Sequence, residues 1–133
     1  LVKLTAVQLH GNESPEYTSK INYPVIKSFG VDKDFDFTVL NKYKNCGIIL
    51  DVKDTINFGG TGKSFDWNLI PKDIRNKIII AGGVSISNIE EIEHNINPYG
   101  VDISSSVEIE PGIKDKNKLK ELFKKINKLN NYE

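Results

Sequence analysis

The 133-residue chain is the size of one ordinary domain, and a 38% hydrophobic content is enough for a packed core. Eighteen basic residues balance eighteen acidic ones, which argues against a nucleic-acid-binding surface. No apolar run approaches the ~20 residues of a membrane-spanning helix, and nothing in these residues argues for secretion. The one cysteine, Cys46, excludes an intrachain disulfide framework and suits a reducing, cytoplasmic setting. The chain opens at Leu1 and contains no methionine, so a preceding segment is expected.

Short apolar runs alternate with helix-length segments from end to end. "TAVQLH" (5–10) is the first expected strand, and Ser14-Pro15 after it offers an N-cap and a first-turn proline. "YPVIKSFG" (23–30) follows, and the spacing of Phe35, Val39, Leu40 and Tyr43 predicts a helix over 32–43. "GIILDV" (47–52) and "KIIIAGG" (77–83) are nearly continuous Ile, Leu and Val, as expected of strands buried on both faces of a parallel sheet. Ser85 is placed to cap a helix carrying Ile89, Ile92 and Ile96. "GVDISSS" (100–106) is the fifth expected strand. A last helix sets Leu119, Leu122, Phe123, Ile126 and Leu129 on one stripe, with its lysines as a solvated face. The pattern is a single α/β domain with a parallel sheet. It suits either an open doubly wound sheet or part of a (β/α)8 barrel, which needs ~200 residues or more to close.

In both architectures ligands bind at the carboxyl ends of the strands, so the polar residues there carry the candidate chemistry. His10 ends the first strand, as a ligand contact or a structural hydrogen-bonder. Asp51 follows four apolar residues. A carboxylate there is costly unless it is paired, hydrogen-bonded or working, which makes it a candidate general acid against the plainer reading of a loop cap. Gly82-Gly83 and Ser104-Ser105-Ser106 end the last two strands. Glycines let backbone N–H groups approach an anion and serines add donors, so the two turns together read as a phosphate site. Cys46 reads as a small buried residue.

"NFGGTGKSFDW" resembles a phosphate-binding P-loop, but counting back from Gly62-Lys63-Ser64 puts Asn57 where the first glycine is required. A glycine-rich loop that closes over a substrate fits better, with Ser64 capping the segment behind it.

"AVQLHGNE", "ILDVK" before "GGTGKSFDW", "AGGVS" and "GVDISSSVEIEPGIKD", in that order, resemble the phosphoribosylanthranilate isomerase family of tryptophan biosynthesis. The resemblance implies a (β/α)8 barrel of which these would be strands four to eight, with the three N-terminal βα units absent. It also implies an Amadori rearrangement of N-(5-phosphoribosyl)anthranilate without metal or organic cofactor. Asp51 matches the family's general acid. Gly82, Gly83 and Ser104–Ser106 match its phosphate site, and His10, Asp102 and the loop glycines Gly59, Gly60 and Gly62 match residues at the substrate. The family's base is a cysteine at the end of strand one, for which Cys46 cannot stand in, since it precedes its strand. Ser106 stands where the family usually has glycine, and a positive φ there would carry a cost of roughly 1 kcal/mol or more. The expected partner is a phosphorylated small molecule, not nucleic acid or membrane. A chain of five units would be inactive alone, leaving open sheet edges that pair with an N-terminal fragment or a second copy. The other readings are a non-catalytic phosphate-binding half-barrel and a related phosphate-binding barrel with another substrate.

Overall fold

The computed structural model describes residues 3–52 and 67–129. Five strands form one parallel sheet: β1 (Val7–Leu9), β2 (Val25–Val31), β3 (Cys46–Val52), β4 (Ile78–Ala81) and β5 (Gly100–Val101). Among the described residues their spatial order is their chain order, with no reversal and hence no switch point of the doubly wound kind. The α/β reading of the sequence therefore holds, in its singly wound form.

Register decides which side chains share a face. Lys27 lies opposite Ile48, Phe29 opposite Leu50, and Ile48 and Leu50 lie opposite Ile78 and Ile80. This face packs against two helices, α2 (Ile89–Ile96) and α3 (Lys116–Leu129). Val31, Leu50, Ile78, Ile80, Ile89, Ile92 and Ile96 form one buried cluster there, with Ile126 and Leu129 against its edge. The alternate residues (Ile26, Ser28, Gly30, Ile49, Asp51, Ile79 and Ala81) point to the opposite face. Apolar packing thus holds the sheet from one side, and the candidate acid rises on the other.

Several expectations need correction. The segment over 32–43 is not an α-helix but a short 3₁₀ stretch, Phe37–Lys42. Asp36 accepts from the Thr38 amide at 2.9 Å and hydroxyl at 2.7 Å, a local bond that starts the turn late, and Thr38 and Val39 are stiff β-branched residues. Ser85 does not cap α2 through its side chain. Its hydroxyl pairs with that of Ser87 at 2.8 Å, while its amide donates to Asn88 Oδ1 at 2.8 Å. Phe123 is 59% exposed, on the edge of its stripe, whereas Leu122 is buried. Cys46 is only half-buried. Ser14 does cap the short helix α1 (Pro15–Thr18), accepting from the Tyr17 amide at 3.2 Å.

The expected strand over 100–106 is paired only at Gly100 and Val101. The chain then turns through a 3₁₀ stretch, Ser105–Val107, into an unanticipated antiparallel hairpin of β6 (Glu108–Glu110) and β7 (Ile113–Lys114). Gly112 has φ 84°, a turn conformation that favours glycine, and Pro111 precedes it.

Candidate active site

Asp51 sits opposite Ala81, at the carboxyl end of β3, so the next two residues, Gly82 and Gly83, lie just beyond the neighbouring strand end. Their φ angles, 76° and 66°, are ones that only glycine adopts without strain. The Asp102 amide donates to the Ile80 carbonyl at 2.8 Å and extends the β4–β5 ladder by one bond. These three strand ends enclose a cavity of about 240 Å³, lined by Asp51, Gly82, Gly83, Asp102, Ser104 and Ser105, with Ala81 and Val84. Six residues marked out in the sequence are thereby brought to one place.

Ser106 is not among them. Its hydroxyl donates to the Val84 carbonyl at 2.7 Å, so it ties the serine turn to the segment after the glycines. Nor is it strained: among the described residues, Asn97 is the one non-glycine residue with positive φ. The serine in the glycine's place therefore carries none of the expected backbone cost.

His10 reaches the acid from two strands away. Its Nε2 lies 3.3 Å from Asp51 Oδ2, with the imidazole 58% exposed and the carboxylate 33% exposed. The intervening strand presents Ser28 and Gly30 on this face, with Gly30 directly opposite Asp51. Small residues there leave room for the ring to span two inter-strand spacings, about 9–10 Å. Ser28 accepts from Gln8 Nε2 at 3.2 Å, pinning the strand that carries His10. Sequence reasoning passed over Gln8, Ser28 and Gly30. Their signal was the alternation of the small residues Ser28 and Gly30 in the run 23–30, with a polar Gln8 in the run before it. Gly59, Gly60, Gly62 and the expected cap Ser64 lie outside the described residues.

The hairpin braces the serine turn. Lys114 Nζ donates to the Ser104 carbonyl at 2.9 Å, lies 3.3 Å from its hydroxyl, and pairs with Glu108 Oε1 at 2.6 Å. The hydrogen bond from Lys114, then that from the Gly112 amide, holds the Glu108 carboxyl below the usual carboxylate range. A carboxyl whose folded value is depressed favours the folded hairpin above its unfolded value, about 4.3, and loses that contribution as pH falls below it. Protection of the Gly112 amide, measured against its intrinsic exchange rate at each pH, should therefore be greatest at neutral pH and fall as the solution is acidified through and below that value. An exchange rate in Glu108→Gln with the same acid dependence as the parent would remove this pair as the cause.

The sequence profile of the N-(5'phosphoribosyl)anthranilate (PRA) isomerase family matches residues 1–125. N-(5'-phosphoribosyl)anthranilate isomerase of Geotalea uraniireducens is 41% identical over 125 residues, covering 92% of this chain and 61% of that protein. The Bacillus cereus enzyme is 43% identical over 123 residues, covering 90% and 60%. The chain thus spans about three fifths of the length of the curated relatives it matches. The crystal structure of phosphoribosyl anthranilate isomerase from Thermotoga maritima superposes with a TM-score of 0.79 at 38% identity, over 94% of this chain and 62% of that one. A phosphoribosyl anthranilate isomerase in complex with reduced 1-(o-carboxyphenylamino)-1-deoxyribulose 5-phosphate gives 0.76 at 33% identity, over 94% and 60%. With this match along nearly the whole chain and the same parallel α/β fold, the chain belongs to the PRA isomerase family.

Proposed function

We propose that the chain supplies the general acid and the phosphate site for the Amadori rearrangement of N-(5'-phosphoribosyl)anthranilate to 1-(o-carboxyphenylamino)-1-deoxyribulose 5-phosphate. The observation that carries this reading is the cavity itself, where the Asp51 carboxylate, with Asp102 beside it, shares the lining with two positive-φ glycines and a serine turn. Backbone amides around Gly82, Gly83, Ser104 and Ser105 bind the substrate's phosphate, with Ser106 holding the turn in place. Asp51 donates a proton to the ribose ring oxygen, which opens the ring to a Schiff base. Removal of the C2 proton then gives an enolamine, which tautomerises to the ketone. Asp102 lines the cavity, and His10 pairs with the acid beside it.

Cys46 is not the base. It begins β3 while Asp51 lies five residues on, about 16 Å at strand rise. In this reading the base is a cysteine on a strand outside the described sheet, and the five strands stand as strands four to eight of a closed barrel. The strictly sequential strand order supports that placement. The substrate is a phosphorylated small molecule, and the setting is the cytoplasm.

The phosphate assignment is tested by isotope-edited NMR with the reduced product analogue bound by the family's solved complex. Addition of this ligand should move the amide resonances of Gly82, Gly83, Ser104 and Ser105 together, at one saturating concentration. Binding that shifts other amides and leaves these four in place would place the phosphate elsewhere and sink the reading.

A further inference from the structure

The loop that carries His10 is held by a cation on the far side of the sheet. Lys27 is 2% exposed and points, with Phe29, to the helix-packed face rather than to the catalytic one. A lysine is rarely buried unless it is paired and hydrogen-bonded. Its ammonium donates to the Gly11 carbonyl at 2.8 Å and to the Ser28 carbonyl at 2.7 Å, lies 3.4 Å from Glu13 Oε2, and sits 4.7 Å over the Phe29 ring. The same Glu13 oxygen accepts from the Gly11 amide at 3.0 Å, and the Glu13 carbonyl accepts from the Tyr43 hydroxyl at 2.8 Å. Gly11 is therefore gripped at both its carbonyl and its amide, directly after His10. Ser28, which Lys27 also holds, is the residue that Gln8 bonds on the catalytic face.

We propose that Lys27 is a positioning residue for the isomerisation. Through Gly11 and Glu13 it fixes the loop so that the His10 imidazole stays within reach of Asp51, although it touches neither the acid nor the substrate cavity. A buried ion pair is poor evidence for stability, since replacing it by apolar groups is often neutral. Setting the geometry of a neighbouring catalytic loop is a role that such a pair fills well. The kinetic arm of this inference rests on the isomerase reading; the structural arm does not.

The test uses Lys27→Met and Glu13→Ala in the natural protein, with three readouts: melting temperature, amide exchange at Gly11, and the separate values of kcat and KM. Expected for both variants is a large rise in Gly11 exchange, with core amides such as those of Leu50 and Ile80 still protected. Turnover should fall roughly 10- to 100-fold with little change in KM, because binding groups at Gly82, Gly83 and the serine turn are untouched. If Lys27→Met fails to fold, Glu13→Ala decides, as its carboxylate lies on the loop side of the pair. Unchanged Gly11 exchange in the folded variants overturns the proposal, as does a loss confined to melting temperature. A parent protein without turnover, measured with the base-bearing strand present, would refute the isomerase reading, while Gly11 exchange would still judge Lys27.

Discussion

Under the proposed function, Asp51→Asn in a complete barrel is expected to lower isomerase turnover by about 10²- to 10⁴-fold, the usual contribution of a positioned acid or base, while leaving folding stability within about 1 kcal/mol of the parent. The substitution keeps size and shape. Its amide can still meet His10 Nε2, which lies 3.3 Å from the carboxylate, so the pocket wall is preserved. In the proposed reaction it could not deliver a proton to the ribose ring oxygen, and ring opening is the step on which every later one would depend. Affinity for the phosphorylated product analogue should stay close to that of the parent, because the glycine and serine turns are separate from the acid. Turnover measured at saturating substrate, beside that affinity, separates the roles. Normal turnover in the variant would take Asp51 out of the mechanism. Lost turnover together with lost affinity would make it a binding residue instead.

What the sequence revealed of this site follows from the physics of the parts. Asp51, Gly82 and Gly83 were legible because a parallel sheet buries its strands, so an acid or a glycine pair ending an Ile-rich run stands out. The strand order was not legible from periodicity, which places strands in the chain and not beside one another; only the family resemblance implied a sequential one. The run over 100–106 was misread because it looks like one continuous strand, yet its pairing to β4 ends with the Asp102 amide and the hairpin beyond takes over the turn. Lys27 gave no signal at all. In sequence it is one polar residue in an apolar run, and its meaning arises only when the loop after β1 folds back over its ammonium. The helix expected over 32–43 failed for a local reason, the Asp36 side chain competing for the Thr38 amide.

Leu50→Ala is expected to cost about 3–4 kcal/mol of folding stability, within the range measured for buried leucine truncations. Leu50 is fully buried in the middle strand of the sheet, among Val31, Ile80 and the α2 isoleucines. A small domain has in total about 5–15 kcal/mol, so this one change removes a large part of it. The effect should be concentrated here because apolar packing is gathered on one face of the sheet, and Leu50 lies at its centre. Leu50 also precedes Asp51 directly. The methyl groups lost on one face are those that hold the backbone from which the acid rises on the other, so turnover per folded molecule should fall as well. Urea unfolding against an Ile109→Ala control resolves the stability term, since Ile109 is 69% exposed and its loss should cost no more than about 0.5 kcal/mol. Equal costs for the two variants would mean that the cluster around Leu50 is not what holds the sheet. A full stability loss with unchanged turnover per folded molecule would mean that Asp51 is placed by the β3 ladder alone.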